Sequence, residues 1–309
     1  GPMLRFLAIR LARAGVTMFL VLVIAFLTVR FSGTPFEQMY PEGLTPQLQA
    51  ALEAKYGLDQ PLLTQFRVYL GQLAQGDFGR SLHSGEKVLD IYLARMPYTL
   101  AIGGMALVVA IAVGIPLGAA AALWRTHPGT RIGMGAAFLG YAMPHFVIAI
   151  GLILLFGYHW RALPTVGLDT WRHYILPVAA LAIPMIAGLA RFMRASMLDA
   201  INNPHVLTAV SKGVPRGQVV RGHILRNATL PLVTVIGLEI AGLLNGSIFV
   251  EEVFALPGVG RVLVGSVEGR DFPVLQFGLI AYAAIVVAVN LMVDIAYVIA
   301  DPRVRLEQG

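Results

Sequence analysis

Two carboxyl side chains interrupt long apolar stretches, and their type and position could support chemistry. Glu239 lies within the apolar segment 228–250, and Asp294 lies within the segment 274–300. A charge at the centre of a bilayer costs at least about 2.5–3.5 kcal/mol on insertion scales. Each carboxyl must therefore face a partner or water, or carry a proton.

Each of these carboxyls has a functional and a structural interpretation. With Asn245 and Ser247 on the same segment, Glu239 could form a polar patch on a transport path and bind the amine of a substrate. Alternatively, Glu239 forms a hydrogen bond between helices. Asp294 lies nearer the end of its segment, which favours a structural bond to an Asn or Arg there.

Other chemistry is excluded by the residue types in the sequence. The chain has no cysteine, which excludes disulfides, thiolate metal sites and cysteine nucleophiles. The seven histidines are scattered without the spacing of a metal site. The phosphate-binding pattern G-x-x-x-x-G-K-[ST] is absent, so any ATP hydrolysis belongs to another chain. We therefore expect no catalytic, cofactor or metal site, and the residues of an intramembrane enzyme are missing.

The elements that must position the two carboxyls are long apolar segments. Of the 309 residues, 57% are hydrophobic and 13% are charged, whereas a soluble domain carries about 25% charged residues. About 20 apolar residues cross the hydrocarbon core of a bilayer. Six segments reach or approach this length: 11–29, 100–124, 132–158, 174–190, 228–250 and 274–300. The fourth is short and broken by two prolines. The sequence predicts an all-α integral membrane protein with six transmembrane helices.

The basic residues predict how the chain is oriented. If the N-terminus, the loops 125–131 and 191–227 and the C-terminal tail share one side, that side carries 13 Lys and Arg against three acids. The other side carries 10 Lys and Arg against 12 acids. The positive-inside rule then places both termini in the cytoplasm. The net charge of +6 therefore reflects topology, and we do not expect nucleic-acid binding.

The same segments divide the chain into regions. Gly1 and Pro2 precede Met3 and are interpreted as a tag remnant. The predicted regions are the cytoplasmic N-terminus 1–9, the first transmembrane helix 10–30, an extracytoplasmic loop 31–96, and a core 97–309 that contains the cytoplasmic loop 191–227.

The extracytoplasmic loop is predicted to contain two short helices. Thr45 and Pro46 are typical of a helix start, and Gly57 of a helix end. A second helix is predicted over residues 61–74. These helices either form a small lid that packs on itself or provide a docking surface for an extracytoplasmic partner.

The cytoplasmic loop contains a helix too short to span a membrane or to be stable alone. Its start is predicted at Asn203-Pro204 and its end at Gly213 and Pro215. Apolar side chains are expected on one of its faces: Val206, Leu207, Val210 and Val214. Such a helix either lies at the lipid interface or docks into a partner protein.

The loop also resembles a motif of bacterial ABC import permeases. In the peptide-permease version, T-A-x-x-K-G is followed by H-x-L-R-N-A-x-x-P. This chain has Thr208-Ala209, Lys212-Gly213 and then HILRNA at 223–228 with Pro231. It departs from the general E-A-A form of the motif, because Leu207 stands at the glutamate position.

Further stretches resemble the dipeptide, oligopeptide and nickel permease family in the same order along the chain. They are YGLDQPL at 56–62, GDFGRS at 76–81, EVFALPGVGR at 252–261, RDFP at 270–273 and DPR at 301–303. The stretches LPTVG at 163–167 and HYILP at 173–177 are most similar to glutathione-type permeases. The resemblance therefore covers nearly the whole chain.

The resemblance implies the type I ABC importer permease fold and a multi-subunit importer in the bacterial inner membrane. The implied partners are a second homologous permease, two ATPase subunits that bind ATP and Mg, and an extracytoplasmic solute-binding protein. The short inner helix would then be the coupling helix that contacts an ATPase. The residues assigned to this contact are Val206, Leu207, Thr208, Ala209, Val210, Lys212, Gly213, Val214 and Arg216.

Two questions stay open at this level. The solute is a dipeptide, a longer peptide, glutathione, a nickel chelate or an opine, delivered by a soluble or a lipid-anchored binding protein. The alternative function is a stand-alone secondary transporter or channel that uses Glu239 and Asp294 as ion-coupling groups.

Overall fold

The chain is a bundle of long helices joined by short helices and turns. The computed structural model describes residues 2–33, 36, 40, 43–55, 57–229 and 231–300. In these ranges the β-structure is one isolated bridge, between Arg80 and Lys87. Gly1, Tyr56 and the tail 301–309 with its DPR motif lie outside the described residues, as does the side chain of Arg216.

The described helices are labelled α1 to α13 in chain order. Their bounds are α1 Pro2–Phe31, α2 Pro46–Lys55, α3 Leu62–Ala74, α4 Val88–Leu123, α5 Pro128–Ala142, α6 His145–Leu152, α7 Ile175–Ile201, α8 Pro204–Ser211, α9 Arg216–Val219, α10 Arg226–Thr229, α11 Leu232–Val253, α12 Val259–Glu268 and α13 Phe272–Ala300. A π-helical turn, Ile153–His159, extends α6, and a second, Val220–Leu225, joins α9 to α10. A 3₁₀ turn, Trp171–Tyr174, leads into α7.

Five helices of the described chain are long and apolar enough to cross a membrane: α1, α4, α7, α11 and α13. The pair α5–α6 makes a sixth span if it is taken as one, but its two halves are bent by 112°. The sequence predicted one apolar segment over residues 132–158, and the structure divides that stretch into two helices at Met143 and Pro144. Met143 has extended backbone (φ −92°, ψ 131°) because the ring of Pro144 disfavours helical conformation in the residue before it.

The fourth span also differs from its prediction. The sequence indicated a short segment broken by Pro177 and Pro184, whereas α7 is continuous and continues through Arg191 and Arg194 to its last residue, Ile201. Pro177 lies in the first turn, where the backbone N–H groups lack helical partners in any case. Pro184 removes one internal bond, which packing against neighbouring helices compensates.

The centre of the bundle is the contact between α4 and α7, which run in the same direction. A Cβ atom on Gly114 would lie 2.9 Å from the Ile186 carbonyl oxygen, and one on Gly118 would collide with the Ala190 carbonyl oxygen. Glycines four residues apart therefore let the two backbones touch, as small residues do in membrane bundles. We call the end of the bundle where α8 lies the α8 end, and the opposite end, where α12 lies, the α12 end.

Candidate functional site

The helix α8 has well-defined ends. The Asn203 carbonyl accepts hydrogen bonds from the Val206 and Leu207 amides at 2.9 and 3.2 Å. At the other end, Gly213 has a φ of +76°, and the Val214 amide donates to the Ala209 carbonyl at 3.2 Å. This is the glycine-capped geometry in which a left-handed residue closes a helix. The predicted start and end of the short helix are thus confirmed.

The side chains of α8 point in two directions. Val206 and Ala209 are buried in the same core cluster as Val219 of α9. In contrast, Leu207 and Val210 are each 58% exposed. The sequence placed Val206, Leu207 and Val210 on one apolar face, but the structure divides that face. One half packs on the bundle and the other half faces away from it.

The remaining residues assigned to coupling lie around this helix. The Thr208 hydroxyl donates to the Pro204 carbonyl at 2.9 Å, so its hydrogen bond is made within α8. Lys212 is exposed and Val214 is half-buried. The exposed Lys212 therefore directly follows a helix that exposes two apolar side chains, Leu207 and Val210.

Glu239 lies where α5, α7 and α11 meet. A Cβ atom on Gly188 of α7 would lie 2.7 Å from Glu239 Oε1 and 3.8 Å from the Tyr141 ring, so the glycine makes room for the carboxyl. The Arg191 guanidinium lies 4.3 Å from the centroid of the Tyr141 ring. Arg191 and Tyr141 are both exposed. Gly188 thus lies beside both the carboxyl and the Tyr141 ring, and the guanidinium lies beside the same ring.

Asn245 and Ser247 do not lie on one face with Glu239. Asn245 is exposed, whereas Ser247 is buried and its hydroxyl donates to the Leu244 carbonyl of its own helix at 3.0 Å. At 100° per residue, Ser247 points about 160° away from Asn245. Ser247 instead lines a small cavity with Thr99 of α4.

Asp294 forms an ion pair between two spans. Its Oδ2 atom lies 2.8 Å from Arg10 Nη1, which joins α13 to α1 near the α8 end. This is the type of bond that the sequence favoured for Asp294. Asp294 and Glu239 therefore contact different neighbours.

A buried carboxyl that sequence reasoning missed organises the α12 end. Glu251 is 1% exposed. Its Oε1 atom accepts a hydrogen bond from the Thr99 hydroxyl at 2.6 Å, and its Oε2 atom accepts bonds from the Gly260 and Arg261 amides at 2.6 and 3.3 Å. Residue 258 must be glycine, because a Cβ atom on Gly258 would overlap the Glu251 carboxyl. Glu251 thus fixes the first turn of α12 to α4 and α11.

A second missed group joins two motifs that are far apart in the chain. Asp271 is buried and accepts hydrogen bonds from the Ser81 hydroxyl and, at 3.1 Å, from the Leu82 amide. His83 Nε2 lies 2.6 Å from the Gly269 carbonyl oxygen. The GDFGRS and RDFP stretches therefore form one clasp at the α12 end. The signal in the sequence was the pair of motifs, but their separation of about 190 residues concealed the contact.

Comparison with known protein families shows two matches that together cover most of the chain. A family described as "Binding-protein-dependent transport system inner membrane component" matches residues 114–306. The N-terminal part of such membrane components matches residues 3–103.

Curated relatives match over nearly the full length. The glutathione transport system permease protein GsiC of Escherichia coli (strain K12) is 40% identical over 304 residues, which are 98% of this chain and 99% of the relative. The same protein of Shigella flexneri serotype 5b (strain 8401) has the same identity and coverage. Its counterpart in Salmonella typhi is 38% identical.

Two solved structures share the fold. The MetNI methionine ABC transporter, in inward-facing conformations, matches 69% of this chain and 97% of its own with a TM-score of 0.59 at 15% identity. An amino acid ABC transporter with histidines matches 67% of this chain and 92% of its own with a TM-score of 0.55 at 19% identity. At these identities, the likeness concerns the fold alone.

Proposed function

Since the chain belongs to the family of binding-protein-dependent transport system inner membrane components, we propose that it imports a short peptide of the glutathione type. It is a multi-pass permease subunit of an ABC importer in the bacterial inner membrane. The family and the all-helical permease fold predicted from the sequence are thereby confirmed.

The proposal includes a specific assembly. The chain pairs with a second homologous permease, two ATPase subunits bind ATP and Mg, and an extracytoplasmic binding protein delivers the solute. The missing phosphate-binding pattern supports ATP hydrolysis on separate subunits. The excess of basic residues in the loops of the α8 end supports a cytoplasmic location of that end, with the α12 end outside.

The observation that carries the coupling role is the divided surface of α8. Leu207 and Val210 are exposed on a helix whose other apolar residues are buried in the bundle. Apolar side chains exposed in the cytoplasm favour a partner surface, and an eight-residue helix alone is unstable. In this proposal an ATPase covers Leu207 and Val210, and its movement reaches the core through Val206 and Ala209.

A substitution on the outward face tests this role. Leu207→Asp places a charge in the proposed contact and should abolish both recovery of the ATPase with the tagged chain and solute-stimulated ATP hydrolysis. The matched control is Val267→Asp on α12, because Val267 is also 58% exposed but lies at the opposite end. The control should keep the ATPase. If the Leu207 variant transports normally, α8 is not the coupling helix.

Pull-down from the native membrane in mild detergent tests the assembly itself. We expect mass spectrometry to identify a second permease and ATPase subunits that carry the phosphate-binding pattern. A chain that is recovered alone and transports in liposomes without ATP would overturn the importer assembly.

The solute class is supported by the relatives and by the polar groups near Tyr141. The curated relatives named above are glutathione permeases at 38–40% identity over 98% of this chain. Glu239 and Arg191, which both lie in the region of Tyr141, provide opposite charges, which suit a zwitterionic peptide. The alternative of a stand-alone transporter is not favoured, because Asp294 is already paired with Arg10.

Uptake measurements test the solute and the path together. In vesicles that contain the complete system, labelled glutathione should be taken up in preference to a dipeptide such as alanylalanine. Glu239→Gln should reduce the uptake rate several-fold, whereas Ser247→Ala should not, because Ser247 bonds within its own helix. Preference for the dipeptide would refute the solute class, and unchanged uptake by Glu239→Gln would refute its place on the path.

A further inference from the structure

A histidine lies at the break between α5 and α6, near the middle of the bent span. His145 is the first residue of α6 and follows Pro144, where the chain turns by 112°. Its side chain is half-buried. A histidine at this depth in a membrane almost always faces the interior of a bundle or a watery path, and it marks a functional group by default. Its neighbours and its partners therefore decide its role.

The imidazole ring of His145 lies beside the middle of α11. A Cβ atom on Gly246 would lie 3.0 Å from His145 Nε2 and 3.2 Å from the Leu181 Cδ2 atom of α7. These distances are shorter than ordinary contacts of a Cβ atom. The missing side chain at Gly246 thus leaves the room that the ring occupies.

The chain provides no polar partner for this ring. Within the ranges that the structure describes, His145 forms neither a hydrogen bond nor an ion pair, and the same is true of Glu239. Both side chains are half-buried, so each keeps some accessible surface. A polar group without a partner is costly at bilayer depth. Both groups therefore require water or a ligand from outside the chain.

His145 and Glu239 lie at two levels of one face. Gly246, which lies beside His145, is seven residues after Glu239 on α11. Seven residues correspond to about 20° around a helix and about 10.5 Å along it. On α7, Leu181 lies near Gly246 and Gly188 lies beside Glu239, and these two residues are also seven apart. Two helices thus independently give the same separation of about 10.5 Å.

We propose that His145 is a second solute-binding residue on the path that contains Glu239, an inference that rests on the proposed import of a glutathione-type peptide. An imidazole ring always carries at least one N–H donor, so it binds a carbonyl or carboxylate oxygen of the solute. An extended tripeptide is about 10–11 Å long. A peptide of this length whose amine lies at Glu239 therefore reaches His145 with its distal carbonyl or carboxylate group.

The competing role for the ring is a contact with the second permease. The solute is favoured because the ring shares its face of α11 with Glu239, whose carboxyl also lacks a bond within the described residues. A subunit contact and a solute contact differ in what they affect. Removal of the first weakens the assembly, whereas removal of the second slows transport by an intact assembly.

Uptake of labelled glutathione by vesicles that contain the complete system tests the proposal. His145→Phe keeps a ring but removes both nitrogens, whereas His145→Gln keeps a donor and an acceptor. Gly246→Ala displaces the imidazole ring, because its Cβ would lie 3.0 Å from Nε2. The matched control is Gly242→Ala on the same helix, because no atom lies within 4 Å of its added Cβ. Recovery of the second permease with the tagged chain and the midpoint of thermal unfolding are measured for each variant.

We expect His145→Phe to lower the uptake rate by about 5–10-fold, the effect of one hydrogen bond, and His145→Gln to restore most of the wild-type rate. Gly246→Ala should slow uptake in the wild-type chain but cause no further loss in His145→Phe. Gly242→Ala should not slow it.

An unchanged rate in His145→Phe, or an equally low rate in His145→Gln, would overturn the proposal. Loss of the second permease or a lower midpoint in His145→Phe would also overturn it, because the ring would then be a structural contact. A wild-type system that takes up no glutathione would refute the proposed solute and this inference with it. Failure of the His145 variants alone leaves the proposed solute intact.

Discussion

Removal of the Glu251 carboxyl should destabilise the α12 end more than any nearby surface change. In Glu251→Ala, the Thr99 hydroxyl and the Gly260 amide lose an acceptor that lies 2.6 Å from each. A hydrogen bond to a charged group contributes about 1.5–3 kcal/mol. The two short bonds together therefore predict a loss of about 3–6 kcal/mol in the free energy of unfolding. Glu251→Gln keeps one acceptor and should lose about half of that.

Thermal unfolding of the purified chain in mild detergent measures this loss. With a shift of about 2 °C per kcal/mol for a chain of this size, Glu251→Ala should lower the midpoint by about 6–12 °C. The matched control is Glu252→Ala, because Glu252 is the next residue on α11 but is exposed. Limited trypsin digestion should also cut Glu251→Ala sooner at Arg261, in the first turn of α12. Equal midpoints and equal cleavage for the two alanine variants would refute the role assigned to Glu251.

Three further changes test the packing of the bundle. Gly118→Ala should lower the free energy of unfolding by about 1–3 kcal/mol, because the added methyl group overpacks against α7. The control is Gly104→Ala on the same helix, which should not lower it, because no atom lies within 4 Å of the added Cβ. Equal stabilities of the two variants would contradict the close contact. Arg10→Leu should lower the free energy of unfolding by about 1 kcal/mol, because it leaves Asp294 without its ion pair. Adding Asp294→Leu should restore that stability and leave uptake unchanged. Loss of uptake in the double variant would favour ion coupling by Asp294. Gly213→Asp should loosen the end of α8, because a side chain is strained at a φ of +76°. Less ATPase should then be recovered with the tagged chain. Unchanged recovery would argue against that strain.

Features set by neighbouring residues were predictable from the sequence. The short helix α2 begins at Pro46 after the cap residue Thr45, whose hydroxyl accepts from the Leu48 amide at 3.3 Å. It is followed by Gly57 with a φ of +65°. Cap, proline and glycine act within one turn, so their pattern alone fixes the ends of α2 and α8.

Features that depend on the surroundings were not predictable in the same way. Pro144 and Pro184 are both prolines in apolar segments, yet the first breaks the chain by 112° and the second lies inside a continuous helix. The difference is the tertiary packing around each residue, which a local pattern does not contain. The same holds for the bond between Thr99 and Glu251, which joins residues 152 positions apart.

The division of the apolar face of α8 has the same origin. Spacing correctly indicated that Val206 and Leu207 were apolar positions of a short helix, but spacing cannot tell which part of a broad stripe the bundle covers. A surface helix of a globular protein turns its apolar stripe towards the core, so the exposed Leu207 and Val210 are the part of the stripe that this bundle does not cover. In a subunit of a complex, such exposed apolar residues indicate where a partner is expected to bind.

The two ends of the bundle are held by different means, and the difference suits a permease driven from one side. At the α12 end, the buried carboxyl of Glu251 accepts bonds from α4 and from the first turn of α12, and that of Asp271 accepts bonds from Ser81 and Leu82. At the α8 end, the helix α8 is attached by the apolar side chains of Val206 and Ala209. Apolar contacts are non-directional, so these two side chains can shift on the core while they stay buried. If α8 is the coupling helix that we propose, its displacement passes into the core through Val206 and Ala209, while the hydrogen bonds at the α12 end keep that end in place.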